Sequence, residues 1–371
     1  MRTEWEIRAF DACVEKQKAP TKLLSSSYQE KGAYPIVSQE KDLISGYWDN
    51  RDDLFVHRKP VVVFGDHTMV VKYIDFDFVV GADGVKILEP KDFLLPKFFF
   101  YWVSSVRIKS RGYARHFRYL REANVPVPSL PEQQRVVDIL DQEFAKIDAL
   151  KANAEKSLQA AKDLFQATLK KELEPKEGWE TKHLNEWATY SIGLTYKPAD
   201  VSNEGTIVLR SSNIQNDELV FDDIVRVSCK VKDELFVENG DILMCSRNGS
   251  ARLVGKVARI CKGQERMTYG TFMTIIRSEF NPILFYYFKS NDFRSQISKG
   301  ENTMINQITK YMLNDVVVSL PNDPGEISRI ARSLDNLNDR CKSLQENYQK
   351  TLTLCDDLKQ SLLRKAFNGE L

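Results

Sequence analysis

Between Phe93 and Arg121 the chain carries seven cations and no carboxylate: Lys97, Arg107, Lys109, Arg111, Arg115, Arg118 and Arg121, interleaved with Tyr113, His116, Phe117 and Tyr119. Lysine and arginine contacts to phosphate supply affinity for nucleic acid, and a guanidinium can also read a guanine edge through two hydrogen bonds. Lys109, Arg111, Arg115 and Arg118 are the candidates here; the alternative is an exposed helix end and loop that is merely basic. A matching stretch, SKGENTMINQITK (Ser298–Lys310), follows the second run of aromatics, with Gly300 placed against Gly112. It offers Lys299 and Lys310 for phosphate and Asn302, Asn306 and Gln307 as carboxamides, a group that suits adenine. Turn formation is the competing reading of those amides.

Two further loops recur at equivalent places after strand-like runs. SQEK (Ser38–Lys41) matches RSSN (Arg210–Asn213), and GDHT (Gly65–Thr68) sits like SRNGS (Ser246–Ser250). Small polar residues beside a single arginine or histidine at a strand end suit base-edge contacts. Ser38, Gln39, His67, Thr68, Arg210, Ser211, Asn213, Arg247 and Asn248 join the candidate DNA-binding set on that ground, with ordinary turns as the alternative for any one of them.

Catalytic chemistry finds little support. Asn281-Pro282 is followed by Ile283-Leu284, not by the Pro-aromatic pair of an adenine methyltransferase motif. GSARLVGK (Gly249–Lys256) has one residue too many between its glycines for a phosphate loop, and Val257 stands where a hydroxyl should hold magnesium; a β-hairpin turn is expected instead. The histidines at 57, 67, 116 and 183 show no metal-ligand spacing. Asp75 and Asp77 are read as a solvated strand face, and Trp5 and Trp179 as core. No catalytic or metal residue is therefore expected.

The candidate residues need a frame, and the sequence contains one twice. Pro131–Leu173 and Glu326–Phe367 each run for some forty residues without an internal Gly or Pro. Offset by 194 positions, Leu140-Asp141 falls on Leu334-Asp335, Leu150 on Leu344, Leu164 on Leu358 and Leu169 on Leu363. In the second copy Ile327, Ile330, Leu334, Leu337, Cys341, Leu344, Tyr348, Thr351, Cys355, Leu358 and Leu362 alternate by three and four, which predicts a coiled-coil seam. The first copy has a wider stripe, suited to a helix with more than one neighbour. At ~1.5 Å per residue each helix would be roughly 60 Å long. Pairing of the two within the chain is expected; dimerisation between chains is the alternative.

The blocks before the helices also repeat. Trp5-Glu6 returns as Trp179-Glu180, PKFFFYWVSS (Pro96–Ser105) as NPILFYYFKS (Asn281–Ser290), and ANVPVPSLP as NDVVVSLP (Asn314–Pro321). Internal duplication follows. Net charge is +1, so nucleic-acid affinity must come from local patches. Six scattered cysteines without a CxxC pair, and the lack of a signal-like or membrane-spanning apolar run, predict a reduced, cytoplasmic protein away from membranes.

VPVPSLPEQQRVVDIL (Val125–Leu140), GDILMCSRNGSARLVGKVARI (Gly240–Ile260) and LLRKAFNGEL (Leu362–Leu371), in this order and on this duplicated frame, resemble the DNA-specificity subunit of type I restriction-modification systems. The resemblance covers essentially the whole chain; one departure is LPNDPGEISRI (Leu320–Ile330), which lacks the Glu-Gln pair after the proline. It implies an α+β fold with two similar mixed α/β target-recognition domains, residues 1–130 and 174–325, separated by two long antiparallel helices, 131–173 and 326–371, that form a coiled coil with internal pseudo-two-fold duplication. It implies a non-catalytic subunit that binds a bipartite, asymmetric double-stranded DNA site. The implied partners are two adenine methyltransferase subunits and two ATP-dependent restriction subunits. S-adenosylmethionine, ATP and magnesium would belong to those partners, and no cofactor to this chain. The rival function is a coiled-coil scaffold with protein-binding domains, against which the acid-free basic stretch stands.

Overall fold

A computed structural model describes residues 5–16, 21–82, 84–109, 112, 114–261, 265–298 and 306–371. The chain forms two compact units, and neither ends where a globular block ends. One contains residues up to Glu155 together with Gln349–Leu371; the other is Lys156–Tyr348. Each unit therefore takes part of both long helices, Leu130–Glu172 and Pro324–Phe367.

The first unit opens on strand Glu6–Ala9, which pairs antiparallel with the closing strand Asn124–Val127. Between them lie a mixed sheet and an antiparallel one. In the mixed sheet, Phe78–Gly81 runs parallel to Tyr34–Val37. In the other, Val61–Gly65 lies between Val71–Ile74 and Val85–Leu88. The run Val61–Phe64 is buried throughout because both its faces are covered. Val61 and Val63 join Val37, Phe78 and Val80 on one side, while Val62 and Phe64 join the aromatic helix Pro96–Ser105 and Val136, Val137 and Leu140 of the long helix on the other.

The second unit repeats the plan. Trp179–His183 pairs antiparallel with Val317–Pro321. Thr206–Leu209 runs parallel to Met267–Tyr269, and Ile242–Cys245 lies between Met273–Arg277 and Val257–Arg259. Ile242 and Met244 face the helices; Leu243 and Cys245 face the mixed sheet. The antiparallel pairing of Ile242–Cys245 with Val257–Arg259 makes the Gly249–Lys256 segment a hairpin connection. Trp5 and Trp179 are half-buried and pack at the margins of the two cores.

Within each unit the helix segments pack on one another in opposite senses. In the first, the start of one long helix (Val136, Leu140, Phe144) meets the end of the other (Leu362, Leu363, Ala366). Lys151 Nζ donates to Asp356 Oδ1 at 2.8 Å, and Lys359 pairs with Asp148. In the second, Phe165 and Leu169 meet Ile330, Leu334 and Cys341. The pairing is thus intramolecular and antiparallel.

The seam departs from the sequence expectation at four leucines. Leu344 and Leu358 are 41% and 48% exposed, and their repeats Leu150 and Leu164 are 56% and 57% exposed. The α-helical period is 3.6, so a straight helix drifts off a strict 3.5 repeat. Leu363 and Ala366, off the predicted stripe, are buried instead.

The repeated Leu-Asp pair is the joint between helix and block. In the first unit Asp141 accepts from the Tyr101 hydroxyl and from Lys97 Nζ at 2.7 Å. In the second Asp335 accepts from the Tyr286 hydroxyl at 2.5 Å and from Arg259 Nη1 at 2.7 Å. Burial, then the carboxylate, raises the pKa of both phenols. The helix starts differ. Gln133 is buried in the first unit, where its Oε1 accepts from Leu95 N at 2.8 Å and its Nε2 donates to Phe93 O and Pro128 O. The second long helix starts instead with Asp323 as its cap, Oδ2 accepting from Glu326 N at 2.9 Å.

Candidate nucleic-acid interface

Backbone hydrogen bonds bring three separate segments together in each unit, by the same pattern. In the first unit Asp66 N donates to Gly84 O at 2.7 Å and His116 N donates to Asp66 O at 2.8 Å. In the second Ser246 N donates to Phe272 O at 2.9 Å and Ile308 N donates to Ser246 O at 2.7 Å. Asp66 is thus equivalent to Ser246, Gly84 to Phe272 and His116 to Ile308. Arg115 then falls on Gln307 and Arg118 on Lys310, a register four residues away from the one Gly112 on Gly300 would give.

A fourth segment, the loop after the parallel strand, is fastened to the same place in both units. Thr68 Oγ1 donates to Gln39 O at 2.6 Å, and His67 N donates to Gln39 Oε1 at 3.2 Å. In the second unit Asn248 Nδ2 donates to Ser211 Oγ at 3.0 Å. The loops picked out by recurrence in the sequence therefore meet in space: Gln39, His67, Thr68, Arg115 and Arg118 in one unit; Arg210, Ser211, Arg247, Asn248, Gln307 and Lys310 in the other. Lys109 is exposed beyond the aromatic helix, and Asn306 is exposed beside Gln307. Arg111, Lys299 and Asn302 lie outside the described residues.

Two loop residues read as DNA contacts are buried instead. Ser38 is 3% exposed and its hydroxyl is shared with Ser45 and with the amide of Glu40. Asn213 is 1% exposed: its Oδ1 accepts from Arg210 N, and its Nδ2 donates to Val220 O and Asp223 O. Side chains whose polar atoms are spent on their own loop shape it and do not face solvent. Lys72, also buried, fastens the first loop from beneath, with Nζ donating to Ser38 O at 2.8 Å and Asp42 O at 2.5 Å. Burial lowers its pKa, while Asp42 and Glu40 oppose that shift.

The cations at the surface are oriented by rings. Arg118 lies over Tyr119 at 4.5 Å and donates to its hydroxyl. Arg247 lies over Phe272 at 5.6 Å, and Lys310 over Tyr190 at 5.8 Å. Cation–π contact of this kind holds a charge in place while leaving its hydrogen-bond donors available. Arg210 differs, since Nη2 is paired with Asp223 at 2.7 Å.

Phe272 escapes a reading of the sequence because TFMTIIR looks like one buried strand. Phe272 is 55% exposed, and Tyr311, which lines the same recess, is 80% exposed. The available signal is positional: Phe272 occupies the place where the first block has Gly84. In the first unit that place is a glycine at φ +95°, and a Cβ there would come within 2.5 Å of Gln39 Oε1.

A family model described as the type I restriction modification DNA specificity domain matches residues 3–160 and 176–354. Among curated proteins, the type I restriction enzyme StySPI specificity subunit of Salmonella potsdam is 25% identical over 76% of this chain and 67% of its own length. The type I restriction enzyme EcoKI specificity subunit of Escherichia coli K12 is 28% identical over 67% of this chain and 58% of its own. This chain thus aligns with about two thirds or less of the length of these relatives. A solved chain from work on complex assembly and conformational transition of the type I R-M system superposes with a TM-score of 0.72 at 15% identity, covering 99% of this chain and 98% of that one. That likeness shows the fold.

Proposed function

The chain belongs to the type I restriction-modification DNA specificity family, and we propose that it is the sequence-reading subunit of such a complex, with each unit reading one half of a bipartite, asymmetric double-stranded DNA site. The observation that carries this is the duplicated platform. Two units present the same hydrogen-bonded set of loops, yet fill it with different side chains. A shared backbone with different readers suits two half-sites of different sequence. Arg115 and Arg118 in one unit and Arg247 and Lys310 in the other are exposed cations, suited to phosphate and guanine.

The chemistry is assigned to partners: two adenine methyltransferase subunits that use S-adenosylmethionine, and two restriction subunits that use ATP and magnesium. This chain is assigned no catalytic residue and no cofactor of its own. A pair of identical partners is supported by the repeated leucines, because Leu150 with Leu358 in one unit and Leu164 with Leu344 in the other stay exposed at equivalent places. Exposed apolar side chains recurring at equivalent places suit a protein surface that is covered twice. No helix among the described residues is long and apolar enough to cross a membrane; a cytoplasmic location goes with the proposed work on host DNA.

The test is to co-express the tagged full chain with the methyltransferase-like products of its neighbouring genes, purify it through the tag and map adenine methylation in the host. A split, asymmetric methylated motif is expected, lost with Arg115→Glu. Absence of a methyltransferase partner together with absence of salt-sensitive DNA binding overturns the reading and leaves a protein-binding scaffold.

A further inference from the structure

Arg210, Ser211, Arg247, Gln307 and Lys310 line two recesses of the second unit that have Phe272 in common. Phe272 lines a cavity of about 410 Å3 together with Arg247, Gln307 and Lys310. It also lines a second, of about 670 Å3, with Arg210, Ser211 and Ser212. Thr271 and Phe272 line both recesses, and Arg247 lies over the Phe272 ring at 5.6 Å. In the second recess Arg210 Nε and Ser212 Oγ are buried without a hydrogen-bond partner. Polar groups on both sides suit base edges and phosphate. The ring between them suits an apolar feature at the same depth.

Its backbone is fixed, so the ring is presented and not merely loose. Phe272 O accepts from Ser246 N at 2.9 Å and from Arg247 N at 3.1 Å, and Met273 N donates to Gly270 O at 2.9 Å. Burying this ring inward would require breaking the platform. The matched position in the first unit is Gly84, which leaves room for Gln39 and His67. One half of the molecule therefore has an apolar projection where the other has a polar floor.

We propose that Phe272 is a specificity-determining residue of the second unit, taking the C5 methyl group of a thymine in the major groove while Arg247 reads the neighbouring base. The thymine methyl is the major-groove feature that an apolar side chain recognises, and it separates T·A from the other three arrangements. This rests on the DNA-reading function proposed above and adds one base to it: a half-site that contains a methyl-dependent thymine, with no equivalent requirement placed on Gly84.

The experiment uses the full chain with its methyltransferase partners and the site obtained from methylation mapping. Duplexes are prepared in which each thymine of the site is replaced, one at a time, by deoxyuridine, which removes the methyl and leaves the hydrogen-bonding edge intact. For the wild-type chain one such replacement is expected to weaken binding about fourfold, what the burial of a single methylene provides. Phe272→Ala is expected to bind the two duplexes equally and to relax the mapped motif at that one position, whereas Phe272→Leu keeps part of the preference. If the wild-type chain is indifferent to every replacement, or if Phe272→Ala keeps the wild-type preference, the inference is overturned. If the wild-type chain yields no methylated motif and no sequence-selective binding, the proposed function has failed and not this assignment within it.

Discussion

The two units share a backbone plan and divide over side chains, most sharply at the loop platform. Where the block joins the long helix, the same chemistry is used twice: a helix aspartate, Asp141 or Asp335, receives a buried tyrosine hydroxyl and a cation. Even here the cation changes origin, coming from the aromatic helix as Lys97 in one unit and from a strand as Arg259 in the other. At the loop platform nothing but the backbone pattern is kept. Gly84 stands for Phe272, Asp66 for Ser246 and Arg115 for Gln307. A surface that must meet different ligands is free to change its side chains if its loops are held by main-chain bonds. The helix joint is under the opposite demand.

The joint can be broken one unit at a time. Leu140 and Leu334 are both fully buried at equivalent places beside the aspartates. Leu334→Ala should destabilise the second unit by about 2–5 kcal/mol, through lost burial and the cavity left behind. Hydrogen exchange followed by mass spectrometry should show the loss concentrated in residues 156–348, and Leu140→Ala should shift it to the other unit. Equal loss in both units for either variant would mean that the two do not hold separate cores.

A smaller effect separates the hydroxyls from the leucines. Burial, then the bond to Asp335, raises the pKa of Tyr286, and Tyr287 beside it is raised by burial and Asp292. An unfolded tyrosine loses its proton near pH ~10, whereas these folded phenols hold theirs to higher pH. The contribution is therefore intact below pH ~10 and is lost as pH climbs from there toward the folded values. Tyr286→Phe should cost about 1 kcal/mol at neutral pH and flatten the alkaline decline, read as melting temperature against pH. An unchanged alkaline slope would remove Tyr286 from the account.

These contrasts show what a sequence can and cannot disclose. The long helices are legible because leucine recurs at three and four, and the buried strands because Val61–Phe64 and Ile242–Cys245 are continuous apolar runs. The strand pairs that close each block, such as Glu6–Ala9 with Asn124–Val127, are harder: Glu6, Ile7 and Ala9 are exposed, so no alternation marks them. Ser38 and Asn213 illustrate a different limit. A polar residue in a recurring loop looks the same whether its side chain points at a ligand or at its own backbone. Phe272 is the converse, a core-like residue whose position on the outside follows from a hydrogen-bonding register that only the fold supplies.

Gly84 allows the platform comparison to be sharpened. Its φ of +95° and the nearness of Gln39 and His67 both resist a side chain. Gly84→Ala should cost about 1–2 kcal/mol and displace the loop carrying Gln39, changing the half-site assigned to the first unit while sparing the other. Methylation mapping of the variant reads that directly; an altered second half-site would contradict the assignment of one unit to one half. Phe272→Ala, at the equivalent place, carries no such backbone cost because φ at Phe272 is not positive.

The least effect is expected where the helices meet in water. Lys151 and Asp356 join the two long helices at 2.8 Å within the first unit, and Asp356 is 65% exposed in its side chain. The hydrogen bond to Asp356 raises the lysine's pKa. It does not make the contact strong, because solvent screens the charges and two long side chains lose freedom in holding one geometry. Lys151→Ala should therefore change the stability of this unit by about 0.2–1 kcal/mol, and the difference from the wild type should fade in 1 M salt, where the screening length falls to ~3 Å. A cost that persists undiminished in high salt would show that the aliphatic stem of Lys151, packed along the other helix, matters more than its charge.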